Sequence, residues 1–506
     1  MIKRAKAIMV QGTGSHAGKS VITAGLCRIF AQDGYKVAPF KSQNMALNSY
    51  PTEDGLEMGR AQVMQAEACG RKPEIEMNPI LLKPSSDVGC QVIVMGKPFC
   101  NMNVKKYHRY QKKAWGIVQR AYNKLAKEND IIVIEGAGSP AEINLKKNDI
   151  VNMKVAKFAE AQVLLIGDID RGGVFASLYG TLKLIPKNEQ DLIKGIIINK
   201  FRGDETVLTP GLENFSKLIK KPILGVIPFF QNIRLDEEDS LALEDKPKFN
   251  KFHNRAGKIE VAVICLPHMS NFTDFDPIEE DEEIYLRYIT TKEELGNPDV
   301  IIIPGTKNTM EDLKFLYLTN MADAIQEKAK AKVIIIGICG GYQILGKEVK
   351  DPYSVESNIK YVKGLGLLDV TTVIEKNKIT CQSEAEWLYN FAKHNKNEKL
   401  KGYEIHMGRT TLAKETKPFL KIIKRSGRKV NNYDGAINKE GNVIGTYLHG
   451  ILDNLSFRIF MKNLCKKEQC NYTSITSDFN KDEEYNKLAN LFREHLDIPQ
   501  IYKILI

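Results

Sequence analysis

Twice along this chain, short runs rich in Val and Ile alternate with stretches of helical pattern, and a densely charged segment separates the two series. The first series spans residues 5 to about 228, with strand-length runs AKAIMVQ, YKVAPF, CQVIVMG, IIVIEG, QVLLIGD, GIIIN and ILGVIPF. Helical patterns such as GKSVITAGLCRIFAQ and KAWGIVQRAYNKLAKE lie between them. Strands bounded by glycine turns and spaced by helices predict an α/β fold, an open, mostly parallel sheet with helices on both faces. Residues 234–258 carry charge and no apolar strand run, which predicts a linker. IEVAVICLP, DVIIIPG, KVIIIGIC and NVIGTYLHG then predict a second sheet of the same kind. The expected division is a first domain over 1–233, the linker 234–258, a second domain over 259–465 and a polar C-terminal tail over 466–506 with one helical stretch. A chain of 506 residues has material for cores of that number.

Composition excludes several classes. No run approaches the ~18 apolar residues of a membrane span. The basic, then apolar N-terminus MIKRAKAIMVQG enters a glycine-rich loop too soon for a signal peptide and reads as a first strand, so a cytoplasmic location is expected. Nine cysteines lie scattered without CxxC spacing, against a disulfide framework or a structural zinc site. The net charge of +11 fits either a lysine-rich solvated surface or a small polyanionic substrate. No arginine-rich helix or basic block interleaved with aromatics points to nucleic acid. Oligomeric state leaves no mark on the sequence.

After the first strand come Gly12, Thr13, Gly14, Ser15, His16, Ala17, Gly18, Lys19 and Ser20, opening a helix. Backbone N–H groups wrap phosphates best where glycines free them, and a helix N-terminus favours the anion. Lys19 is placed to reach the terminal phosphates of ATP, and Ser20 to hold Mg2+. Thr13 stands where the usual loop has its first glycine. The loop so shaped resembles the dethiobiotin synthetase branch of P-loop proteins, which phosphorylate carboxylates. Glu135 ends the run IIVIEG and is either a magnesium ligand or a cap for the next segment. Lys41, after the second strand, is either a neutraliser of phosphoryl charge or a solvated lysine. Asn199, ending GIIIN, is a candidate reader of the adenine edge. Asp168, Asp170 and Arg171 end another strand; Arg171 either holds a substrate carboxylate bidentately or pairs with one of those aspartates.

In the second series KVIIIGIC runs into Gly337, Ile338, Cys339, Gly340 and Gly341, then a helix. This is a nucleophile elbow with cysteine at its corner, where the helix dipole favours thiolate. The Gly340 N–H points toward a developing oxyanion, and Gly305 or Thr306 in IIIPGTKNT is the candidate second donor. A thiol needs a base; His449, closing NVIGTYLHG at a sheet edge, is favoured, and His406 in GYEIHMG competes. Glu404 and His406 are otherwise expected to line the pocket or position the base.

Gly337, Cys339, Gly341 and Gln343, followed much later by a strand-end histidine, resemble class I glutamine amidotransferase domains. Those domains usually carry glutamate two residues after the histidine; here the residue is Ile451, with Asp453 beyond. The absence matches the cobyrinate-amidating subfamily, and Glu404 and Asp453 are the candidates for orienting His449. In the first half VQGTGSHAGKS, VAPFKSQNMALNSY, EMGRAQVMQAEACG, MNPILLKP, QVIVMGKP, EGAGSPAEINL, DIDRGGVFASLYGT, NKFRGD and RLDEEDSLALE resemble the cobyric acid synthase family. The resemblance implies amidation of the b, d, e and g side chains of adenosylcobyrinic acid a,c-diamide, a corrinoid, with glutamine as nitrogen donor and ATP as energy source. The alternatives are a cobyrinic acid a,c-diamide synthase, which the PFKSQNM block opposes, a peptidoglycan-precursor amidase, and a ParA/MinD-like ATPase, which has no use for an elbow cysteine.

Overall fold

The computed structural model describes residues 4–86, 89–230, 232–235, 257–388, 398–465 and 480–505. Most of the expected linker and of RLDEEDSLALE, from residue 236 on, lies outside them, as do tail residues 466–479.

The first sheet has six parallel strands in the order Ile223–Pro228, Ile193–Phe201, Gln162–Asp168, Lys6–Gly12, Ile131–Glu135, Val37–Phe40. Alternate residues serve opposite faces. Ala7 and Met9 of its central strand enter one apolar cluster with Ile132 and Ile134, whereas Ile8 and Val10 enter a second with Ile131 and Val133. Both faces are covered, so the strands read as unbroken apolar runs. CQVIVMG does not join this sheet. Its strand Gly89–Val94 sits in a separate four-stranded sheet, hairpinned to Lys97–Asn103. Met95 and Gly96 at the turn both take positive φ, 47° and 73°, the backbone that a tight two-residue hairpin requires.

The second sheet runs Ile284–Ile289, Ile259–Ile264, Val300–Ile303, Ile334–Ile338, Val443–Thr446, Ala436–Ile437, parallel except for the last short strand. Between its fourth and fifth strands in space the chain inserts a mainly antiparallel sheet, built on Val370–Trp387 and Lys399–Leu412. The inserted strands alternate buried and half-exposed residues, the pattern of a sheet with one wet face. That alternation stands in VTTVIEKNKITCQSEAEW, but the lysines and glutamates on the wet face hide it from a search for apolar runs.

The tail is more than a polar coda. Helices Lys481–His495 and Ile498–Leu505 return to the first sheet and bury Leu488, Phe492 and Ile501 completely among Ile22, Leu26 and Ile29. Phe492 lies so close to Gly25 that a Cβ there would meet its ring at 2.3 Å. Burying such a ring stabilises by about 1.5–3 kcal/mol. The second sheet is therefore inserted, in chain order, between two parts of the first body.

Candidate active sites

The glycine loop leaves the carboxyl end of the first sheet's central strand and enters the helix Lys19–Gln32 through Gly18, at φ 90°. Gly18 is close enough to Asn199 that a Cβ would sit 2.1 Å from its Nδ2. That amide nitrogen donates to the Ala17 carbonyl at 2.9 Å, so Asn199 braces the loop in this structure with one of its two N–H groups. Lys200 adds a second brace, donating to the His16 carbonyl at 2.7 Å and pairing with Asp168 at 2.8 Å. Asp168 is thus a positioner of the loop. Asp170 pairs with Arg202, so neither aspartate is the partner of Arg171, which stays exposed.

Lys19 folds back on its own loop, Nζ donating to the Gly14 carbonyl at 2.8 Å. Glu135, 1% exposed, ends its strand among four donors. Ser20 Oγ and Lys41 Nζ reach Oε1 at 2.8 Å each, and Gln65 and Gln62 reach Oε2 at 2.6 and 3.2 Å. A buried carboxylate is tolerable only when paired and hydrogen-bonded like this. Lys41 is thereby an ion-pair partner rather than a solvated lysine. Gln62 and Gln65 were not singled out from sequence, although both stand in the EMGRAQVMQAEACG block.

Cys339 sits between the strand Ile334–Ile338 and the helix Gly340–Leu345 at φ 53°, ψ −106°, the strained corner expected of an elbow. Such a turn leaves no room behind it: a Cβ at Gly341 would lie 2.0 Å from the Ile303 carbonyl oxygen. Cys339 lines a cavity of about 40 Å3, enough for a few waters, together with Gly340, Thr306, Gln343 and His406. Of the two expected oxyanion donors Gly340 is at the cavity, while Gly305 is not. It packs against the His449 ring, where a Cβ would be 2.9 Å from Cε1, and Thr306 takes the place on the wall.

His449 is buried beside Cys339, close enough to feel its charge, while the thiol itself donates to the Ile405 carbonyl at 3.6 Å. Its Nδ1 donates to Asp274 Oδ2 at 2.6 Å, and the other oxygen of Asp274 accepts from the Gly450 N–H at 3.0 Å. Nδ1 being so engaged, Nε2 is the atom left for sulfur. Tyr403 stacks on the ring, with centroids 5.2 Å apart. Burial opposes the charged imidazole, but the Asp274 carboxylate and Cys339 outweigh it and push the pKa up to about 10. The sequence offered Glu404 and Asp453 for this orienting role; the structure assigns it to Asp274. Glu404 is held by Arg425 at 2.7 and 2.8 Å and by Ser383 at 2.7 Å. Burial raises its pKa, yet His406 and Arg425 prevail and hold it down to about 2. It does not line the cavity. His406 does, stacked on Tyr447, with Nδ1 bonded to the Gly408 carbonyl, and burial lowers its pKa.

Family models match this architecture in two pieces: a CobQ/CobB/MinD/ParA nucleotide binding domain over 8–242 and a CobB/CobQ-like glutamine amidotransferase domain over 260–457. Curated cobyric acid synthases align over nearly the whole chain. The Thermoanaerobacter sp. (strain X514) protein is 49% identical over 98% of both chains. Those of Clostridium botulinum (strain Okra / Type B1) and Alkaliphilus metalliredigens (strain QYMF) are each 49% identical over 98% of this chain and 99% of their own. The chain belongs to the cobyric acid synthase family. It is a glutamine amidotransferase joined to a nucleotide-binding body, and among the described residues no helix is long and apolar enough to cross a membrane.

One segment of this cobyric acid synthase family chain touches both sites. Residues 39–50, PFKSQNMALNSY, begin at the phosphate loop, where Lys41 meets Glu135, and end on the glutaminase. There Asn48 Oδ1 accepts from the Phe272 N–H at 3.2 Å, and the Ser49 N–H donates to Asn271 Oδ1 at 3.0 Å. Phe272 lies two residues before Asp274. Lys83 from the first body also lines the Cys339 cavity, paired with the fully buried Glu57, which Lys378 of the second body shares.

Sequence reasoning had no access to Asp274, because it contacts His449 across 175 residues and sits in NFTDFDP, a segment without motif character. Asp274→Asn is expected to lower glutaminase kcat by about 10²–10³-fold, since the ring loses its fixed tautomer and its stabilised charge. NMR titration should then find His449 close to its ordinary 6.5 rather than near 10. The sign follows from the raised pKa: the pair's contribution to stability is complete below about pH 6.5 and is lost as pH climbs through about 10. An unchanged titration would remove Asp274 from the orienting role.

Proposed function

We propose that the chain converts the b, d, e and g carboxylates of adenosylcobyrinic acid a,c-diamide to carboxamides, using ATP and glutamine. The observation that carries this reading is the 49% identity to curated cobyric acid synthases along 98% of the chain. The two site geometries supply a chemistry that fits it.

A carboxylate resists ammonia because resonance stabilises it and its oxygen leaves poorly. In the proposed course a substrate carboxylate oxygen attacks the γ-phosphorus, ADP departs, and an acyl phosphate results. Lys19 turns from the Gly14 carbonyl to the phosphates, and loop N–H groups hold their charge. Arg171, exposed at the same edge, is placed to grip an incoming carboxylate. Ser20 and Glu135, a hydroxyl and a carboxylate 2.8 Å apart, form the hard-oxygen pair that suits Mg2+. That ion, when bound, neutralises phosphate charge. No three His, Cys, Asp or Glu side chains among the described residues gather as a metal site, so phosphate oxygens and water would complete its shell.

In the glutaminase Cys339 sulfur attacks the side-chain amide, the oxyanion forms against the Gly340 N–H, and His449 gives its proton to departing ammonia. Water then hydrolyses the γ-glutamyl thioester. Ammonia is largely protonated at neutral pH, so it stays nucleophilic only on a shielded route to the acyl phosphate, where it displaces phosphate. The contact between the bodies at Lys83, Glu57 and Lys378 is the proposed place of that route. Mass spectrometry of product from the a,c-diamide, glutamine and ATP checks the reading. Four successive mass decrements, each the difference between OH and NH2, are expected. Consumption of cobyrinic acid with only two decrements would transfer the chain to the a,c-diamide synthases.

A further inference from the structure

Resting on the reading of Cys339 as a glutaminase nucleophile, the charges around its cavity identify how the amino-acid end of the substrate is held. Lys83, Lys307 and Lys378 all line the cavity. Lys83 and Lys378 share the carboxylate of Glu57, so one anion answers two cations. Lys307 makes no ion pair or side-chain hydrogen bond among the described residues; the charges it feels are Glu356, Lys83, Glu57 and Cys339. Glu356 faces the same cavity, anchored through Oε2 by the Thr309 N–H at 2.9 Å. The cavity lining therefore holds a lysine with no ion pair and a separate carboxylate, together with a nucleophile that must meet an uncharged amide.

We propose that Lys307 binds the α-carboxylate and Glu356 the α-ammonium of free L-glutamine, presenting its side-chain amide to Cys339 and the Gly340 N–H. Such a zwitterion has its two charges on one carbon at the far end from the amide, so a cation and an anion that both line the thiol's cavity match it, whereas an amide inside a peptide would not. Burial drives the Lys307 amine down and, although Lys307 opposes it, the Glu356 carboxyl up to about 7. A ligand carrying the opposite charge to each relieves both. The sequence had marked PGTKNT only for its backbone donors; the lysine within it was passed over.

The native enzyme provides the first test. Glutaminase kcat/KM is measured for L-glutamine, for 4-aminobutanamide, which lacks the α-carboxylate, and for glutaramate, which lacks the α-ammonium. The native enzyme should favour L-glutamine by about 100-fold or more over each, because each analogue leaves a buried charge unmatched. Equal turnover of all three overturns the proposal without any variant. Lys307→Met should then lower kcat/KM for L-glutamine about 100-fold, mostly through KM, and lose the discrimination against 4-aminobutanamide. Glu356→Gln should do the same for glutaramate. A variant that discriminates as the native enzyme does overturns that residue's part. If native enzyme hydrolyses none of the three, it is the glutaminase reading that has failed, not the subsite.

Discussion

Cys339→Ala is expected to abolish glutamine-driven synthesis, by about 10⁴-fold or more, while synthesis from high ammonium persists. In the proposed mechanism the sulfur is the atom that bonds to the amide carbon, and alanine offers neither a nucleophile nor a thioester. Cys339 lies at the strained corner with φ 53°, a backbone that alanine tolerates no worse than cysteine does, so the elbow should keep its shape. The phosphate loop shares no side chain with it. Ammonium supplied in excess needs only the acyl phosphate, and both rates are measured as ADP release coupled to amide formation. Should both nitrogen sources fail together, the division of labour between the two bodies is wrong.

Lys19→Ala is expected to remove synthesis from glutamine and from ammonium alike, by about 10³-fold or more, and to spare part of the glutaminase turnover. Its Nζ rests 2.8 Å from the Gly14 carbonyl, a neutral acceptor that a phosphate oxygen easily replaces. With lysine gone, Lys41 is committed to Glu135 at 2.8 Å and Lys200 to Asp168 at 2.8 Å, so neither can stabilise the phosphoryl group at no cost. Calorimetry with a non-hydrolysable ATP analogue should show weakened binding besides the lost turnover. Synthesis that survives at native rate in Lys19→Ala would mean that the loop does not carry the phosphates.

Local chemistry was legible in the sequence, and distant partnership was not. The phosphate loop and the cysteine elbow are each written within about a dozen consecutive residues, because a strand-to-helix turn dictates both glycines and reactive group at fixed spacing. His449 was favoured over His406 because it closes the run NVIGTYLHG, expected in the same sheet as the elbow. What orients it could not be chosen, since Asp274 reaches it through folding alone. Asn199 shows the same limit: a strand-end amide reads equally as a base contact or as a brace, and its bond to the Ala17 carbonyl is visible only in the fold. The tail misled because Leu488 and Phe492 stand in a helix thick with charge, which dilutes their buried stripe in composition, and Ile501 stands in a helix of only eight residues.

The bridging segment also works as a measuring tape. From Lys41, at the carboxylate of Glu135, to Ser49, against Asn271, there are eight peptide links, and extended backbone spans no more than about 3.6 Å in each. The anchor points at its two ends therefore cannot lie more than about 30 Å apart, whatever the bodies on either side do. An insertion of a few residues between Met45 and Leu47 would lengthen the tape without touching either set of reacting groups, and would separate the pace of glutamine breakdown from that of amide formation.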